Sequence, residues 1–129
     1  MLSHEAVTVD HHIDGKVIVG KDQGRCGSCW AFAANSALES AIAIKYNRAP
    51  VRLSEQYLVD CSTRNYGCEG GWEREAWKFM ISNGARLDSD YPYTARDESC
   101  KSSSTPRKDV IGSWQWIRSL DQMLERVKI

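Results

Sequence analysis

From Cys29 to about Tyr46 the chain carries apolar residues around almost the whole circumference of a helix. Ala31, Ala33, Ala34, Ala37, Leu38, Ala41, Ile42 and Ile44 leave little room for a polar face. Such a pattern predicts a helix buried on most sides. Arg48 to Val51 interrupts it, with Pro50 as the expected stop. Ser54 is placed to cap a short second helix running through Leu58 and Val59. Residues 61–71 are polar and glycine-containing and read as a loop. Glu73 to Ser82 predicts a third helix, its apolar side formed by Ala76, Trp77, Met80 and Ile81. Asn83-Gly84 should close it with a left-handed residue.

The flanks read differently. Residues 5–20 look extended, with Val7, Val9 and Ile13 loosely alternating before Val17, Ile18 and Val19. Asp88 to Pro106 is loop-rich, and Val110 to Ile117 alternates like a strand. Ser119 and Gln122 form a capping box that opens a final helix. No internal repeat is present.

Composition narrows the function classes. The chain has 129 residues, enough for one core that hides roughly two-thirds of its surface. Its 17 Lys and Arg balance 17 Asp and Glu, so no basic excess points to nucleic acid. No apolar stretch approaches the roughly 20 residues of a membrane span, since Asn35, Ser36, Glu39 and Ser40 break the longest.

Cysteine usage changes the picture most. Cys26, Cys29, Cys61, Cys68 and Cys100 are five, so pairing within the chain must leave at least one thiol free. Four paired and one free suits an oxidising compartment; five reduced thiols remain the alternative. Gln23-Gly24-Arg25-Cys26-Gly27-Ser28-Cys29-Trp30 puts two of them in a Gly-containing turn at the mouth of the long helix. A helix N-terminus is a setting that favours thiolates, so Cys29 is a candidate nucleophile, with an inert core thiol as the alternative. Cys26 and Cys29 also have the spacing of a dithiol oxidoreductase, but no βαβ pattern precedes them. A zinc site would need a second close ligand pair, and Cys61 and Cys68 stand seven apart.

Cys26-Gly27-Ser28-Cys29-Trp30 resembles the active-site signature of papain-like cysteine endopeptidases. The resemblance extends in order through Leu53-Ser54-Glu55-Gln56, Val59-Asp60-Cys61, Gly67-Cys68-Glu69-Gly70-Gly71-Trp72, Tyr91-Pro92-Tyr93 and Cys100. It implies an α+β fold, of which this chain carries the mainly helical, disulfide-stapled left domain without the β-rich right domain. Residues 1–20 would be an extended segment reaching toward the right domain, 21–112 the left domain, and 113–129 the start of the crossover. Family pairing would join Cys26 to Cys68 and Cys61 to Cys100.

The resemblance also implies roles. Cys29 would be the nucleophile and Gln23, with the Cys29 backbone N–H, the oxyanion donor, with Trp30 packed beneath. Gly70 and Gly71 would bind extended peptide backbone. Trp72 and Glu73 would form a wall of the pocket for the second residue before the scissile bond. Glu73 departs from the apolar residue many relatives carry, so a basic or polar substrate side chain is expected there. The family's catalytic His falls roughly 130–150 residues after the nucleophile, with an Asn behind it. His4, His11 and His12 all precede Cys29 and none matches it. His11-His12 also stand where relatives carry Trp-Arg. Alone, the chain is expected to be catalytically incomplete. A papain-like half retained as a binding or structural protein is the alternative. The expected partners are a peptide or protein substrate, the right domain, and a zymogen pro-segment or protein inhibitor. No metal, organic cofactor, nucleic acid or membrane is expected, and the expected location is lysosomal, vacuolar or secreted.

Overall fold

The computed structural model describes residues 15–18, 20–101 and 106. The strand expected over 110–117, the helix from Ser119, the crossover over 113–129, most of the extended 5–20 segment and all three histidines lie outside the described residues.

Three helices form the framework: α1 over Cys29–Lys45, α2 over Glu55–Cys61 and α3 over Glu73–Asn83, with a 3-10 turn at Gly67–Glu69. Helix α1 packs against both α2 and α3. The only strand-like pairing among the described residues is one antiparallel bridge, Leu53 to Leu87.

Helix α1 is not buried on all sides. Trp30, Ala31, Ala34, Leu38 and Ala43 are buried, whereas Ala33, Ala37 and Ala41 are exposed. The exposed alanines recur every four residues, one stripe along the helix in line with Cys29. Helix α1 ends at Lys45, within one residue of the expected end near Tyr46, and Asn47 beyond it takes φ 47°. The Asn47 N–H bonds the Ile44 carbonyl at 3.3 Å and the Arg48 N–H the Ala43 carbonyl at 3.0 Å. That is a Schellman close with Asn at the left-handed position, which its short polar side chain tolerates.

Ser54 caps α2 as its position predicts, accepting from the Tyr57 N–H at 2.9 Å. Its hydroxyl also donates to the Tyr91 carbonyl at 2.6 Å, tying α2 to the Tyr91-Pro92-Tyr93 segment. Helix α3 buries Ala76 and Met80. Trp77 is only half-buried and donates its indole N–H to the Ala34 carbonyl of α1 at 3.1 Å. Gly84 ends α3 with φ 74° but ψ −176°, so its backbone is extended after the turn rather than left-handed helical.

Trp30, Tyr57, Leu58 and Met80 are the large, fully buried apolar side chains, drawn from all three helices. Burying a residue such as Leu58 or Met80 stabilises the fold by about 1.5–3 kcal/mol. Two disulfides staple the loops to this core, Cys26–Cys68 and Cys61–Cys100, with sequence separations of 42 and 39. Chain-entropy reasoning gives each on the order of 4 kcal/mol, less in combination because the loops overlap.

A buried charge cluster fastens the segment before α1. The Lys21 ammonium lies 2.7 Å from Glu39 on α1 and 3.2 Å from Glu55 on α2. Glu39 also accepts the Leu53 N–H at 2.7 Å, and Glu55 accepts from Asn35 at 2.9 Å. Burial pushes the Glu39 carboxyl up, against the opposing pull of Lys21 and the Leu53 N–H.

Candidate active site

Cys29 is the first residue of α1 and the free, exposed thiol among the described cysteines. Its sequence neighbours Ser28 and Trp30 are both buried. The first N–H groups of a helix have no partner within it, and Cys29 contributes one of them. Ser28 precedes the helix, yet its side chain makes no cap bond. Its carbonyl accepts the N–H groups of Ala31 and Phe32 at 2.9 and 3.1 Å.

The turn before α1 is held from several directions. Asp22 accepts the Gly24 N–H at 2.8 Å, and Gly24 takes φ 65° with Ala95 close behind. Gln23 donates its side-chain amide to the Cys26 carbonyl at 2.7 Å. Cys26 is bonded to Cys68, and the Gly27 N–H donates to the Cys68 carbonyl at 2.8 Å. Cys26 therefore has its partner outside the turn, which excludes the Cys26–Cys29 dithiol pair of an oxidoreductase.

Cys68 carries the second half of the site. From it the chain runs into Gly70 and Gly71. Gly70 takes φ 122°, a conformation side-chain-bearing residues rarely adopt. Gly71 has no room for a Cβ, which would meet Asn65 Oδ1 at 2.5 Å and the Trp30 ring at 2.8 Å. The indole N–H of Trp30 bonds the Gly67 carbonyl at 3.0 Å, so the buried Trp30 links the start of α1 to this loop. Asn65 accepts the Trp72 N–H at 2.6 Å and donates to Ser62 at 2.9 Å. Trp72 itself is 67% exposed. With Glu73, Arg74 and Trp77 it lines a hollow of about 340 Å³.

Residues 6–126 match the family described as papain family cysteine protease. The chain belongs to the papain family of cysteine proteases. It is 41% identical over 116 residues to Zingipain-1 of Zingiber officinale, spanning 89% of this chain and 52% of that protein. It is 44% identical over 110 residues to Cathepsin L 1 of Paramecium tetraurelia, spanning 84% of this chain and 35% of that one. The bromelain protease of Ananas comosus, solved with the inhibitor E64, superposes with a TM-score of 0.74 at 41% identity. That match covers 81% of this chain and 48% of the bromelain chain. The chain thus spans about half, or less, of these relatives, and its described residues are the helical left half of the papain fold.

The papain-like geometry rests partly on residues whose importance spacing could not reveal. Asn65 fixes the Gly70–Trp72 backbone, Ser28 turns its hydroxyl away from α1, and Tyr93 receives that hydroxyl at 2.7 Å. Tyr93 lies 65 residues from Ser28. Its one sequence signal was membership of the Tyr91-Pro92-Tyr93 motif.

Proposed function

We propose that this chain supplies the nucleophile, oxyanion donors and part of the substrate cleft of a cysteine endopeptidase. The observation that carries the reading is the free thiol of Cys29 at the first position of α1, behind a Gln23 amide clamped on the Cys26 carbonyl. A primary amide has two N–H donors. One is spent on Cys26, which leaves the other to hold an oxyanion beside the Cys29 backbone N–H.

In this mechanism the Cys29 thiolate adds to the peptide carbonyl carbon and the C=O electrons move onto oxygen. Collapse expels the amine, which takes a proton from the His that the rest of the enzyme would contribute. Water then hydrolyses the thioester through a second oxyanion. Gly70 and Gly71 present bare backbone to an extended peptide. The Glu73 carboxylate favours a basic side chain two residues before the scissile bond. The exposed Ala33, Ala37 and Ala41 stripe is the surface on which the right domain packs. Synthesis as a zymogen, sensitivity to protein inhibitors, and a lysosomal, vacuolar or secreted location belong to the same reading, and two disulfides suit an oxidising compartment.

The test uses the protein carrying this chain in full. A thiol-directed epoxide should label Cys29, and Cys29→Ala should abolish both labelling and peptide hydrolysis. Hydrolysis that survives Cys29→Ala overturns the assignment.

A further inference from the structure

We infer that Tyr93 is a positioning residue that aligns the two oxyanion donors, an inference that rests on the roles proposed for Cys29 and Gln23. Its hydroxyl meets the backbone carbonyl of Gln23 and the Ser28 hydroxyl, the latter at 2.7 Å. These contacts have one consistent polarity. A carbonyl can only accept, so the single phenolic proton goes to Gln23. The phenolic oxygen is then the acceptor, and Ser28 must be its donor. One side chain thereby ties the residue carrying the side-chain donor to the residue immediately before the backbone donor.

Both attachments bear on the site. The Gln23 side-chain amide is held by the Cys26 carbonyl at 2.7 Å, and Tyr93 holds the same residue's backbone. Gln23 is therefore fixed at both ends. Ser28 is the residue type that ordinarily caps a helix by accepting from its first-turn N–H groups. Here it makes no cap bond because its hydroxyl is turned to Tyr93. Ala31 and Phe32 donate to the Ser28 carbonyl instead, and the Ser28 hydroxyl leaves the Cys29 N–H alone at a helix end where a negative charge is favourably held.

The Tyr93 ring is fixed independently of its hydroxyl. It stands edge-on to Phe32 of α1, with ring centroids 5.0 Å apart and planes at 85°. Burial pushes the Tyr93 hydroxyl up, so the phenol keeps its proton across the neutral and acidic range. Removing the oxygen alone should thus leave the ring seated and release only the two tethers.

The experiment is a double-mutant cycle in the protein carrying this chain in full, comparing Tyr93→Phe, Gln23→Ala and the pair. Tyr93→Phe should lower kcat about tenfold with KM within about twofold, since misaligned donors lose transition-state rather than ground-state contacts. In the Gln23→Ala background the same change should cost clearly less than in the wild type, because only the backbone donor is left to align. An unchanged kcat in Tyr93→Phe, or an equal loss in both backgrounds, overturns the inference while leaving the roles of Cys29 and Gln23 intact. Gln23→Ala without effect on kcat sinks the oxyanion reading itself. Should Tyr93→Phe fail to fold, Ser28→Ala removes the tether to the backbone donor alone. It should lower kcat with KM little changed, in the Gln23→Ala background as well, and an unchanged kcat overturns the inference.

Discussion

Gln23 donates its side-chain amide to the carbonyl of Cys26 at 2.7 Å, and Cys26 is bonded through sulfur to Cys68. The disulfide therefore reaches the proposed oxyanion donor through a single hydrogen bond. Replacing Cys26 and Cys68 together by Ser should lower stability by about 2–5 kcal/mol, measured by denaturant unfolding. It should also lower kcat more than Cys61→Ser with Cys100→Ser, because the second bridge does not include the carbonyl that Gln23 uses. Equal kinetic effects from the two pairs would show that the Cys26 bridge acts on stability alone.

The Lys21 ammonium bridges two buried carboxylates, Glu39 at 2.7 Å and Glu55 at 3.2 Å, and Arg52 approaches Glu55 at 3.5 Å. The Lys21 side chain is 7% exposed and those of Glu39 and Glu55 1% and 0%. Lys21→Met keeps the aliphatic bulk but leaves both acids without their ammonium. The expected loss is about 3–5 kcal/mol in urea unfolding at neutral pH. It should shrink in acid as Glu39 takes up a proton.

Burial raises Glu39 above 4.5 and Asp60 above 3.8, and Asp60 is drawn back by Tyr91, Gln56 and the Glu98 N–H. An acid with a raised folded pKa binds its proton more tightly when folded. Its contribution is thus complete below the unfolded value and is lost as pH rises through the folded one. Half-buried Glu98 is shifted the other way by Thr94 and its cationic neighbours, and opposes the trend. The thermal midpoint should fall as pH rises above about 4.5, and Glu39→Gln should flatten that slope. At the alkaline end, burial and the Asp60 hydrogen bond push Tyr91 from 10.0 to about 12. Stability tied to the Tyr91 proton is present below pH 10.0 and lost toward about 12, which tyrosinate absorbance should follow and Tyr91→Phe remove.

Gly71 occupies space that a methyl group cannot share with Asn65 and Trp30. Gly71→Ala must push the Gly70–Trp72 backbone outward or disturb the Trp30 indole. Destabilisation of about 1–3 kcal/mol is expected, with KM for peptide substrates raised more than kcat is lowered. Gly70→Ala meets no neighbour but must adopt φ 122°, so its cost should come from backbone strain.

Glu73 borders the hollow formed with Trp72, Arg74 and Trp77. Glu73→Gln should reduce preference for Arg or Lys over Leu, two residues before the cleaved bond, by about two- to fivefold. Competing peptide substrates measured at low and moderate salt would show it, the difference shrinking as salt screens the charge.

Local chemistry was legible in the sequence. Ser54 had only to bond an N–H three residues on, so its cap on α2 could be read from the residue and its setting. The helical periods of α1 and α3 were likewise local, as was the odd cysteine count that required a free thiol. The motif series from Cys26 to Cys100 carried the family. The end of α1 near Tyr46 was legible too, although the residue that closes it is Asn47 rather than Pro50.

What only the tertiary structure decided joins residues far apart along the chain. Apolar composition did not say which face of α1 would be covered, because burial depends on where α2 and α3 pack. The sequence presented Glu39 as a polar interruption, and Lys21 gave no sign of importance. Folding brings Lys21 to Glu39 and to Glu55, 34 residues beyond it, and turns a break in the pattern into a buried ionic clasp. Tyr93 is the same case at longer range, 65 residues from Ser28 and 70 from Gln23. The sequence by itself determined the nucleophile candidate, its helix and the cysteine inventory, since each depends on neighbours within a few residues. The three-dimensional packing decided which groups hold the proposed oxyanion donors in place, since hydrogen bonds select partners by distance in space.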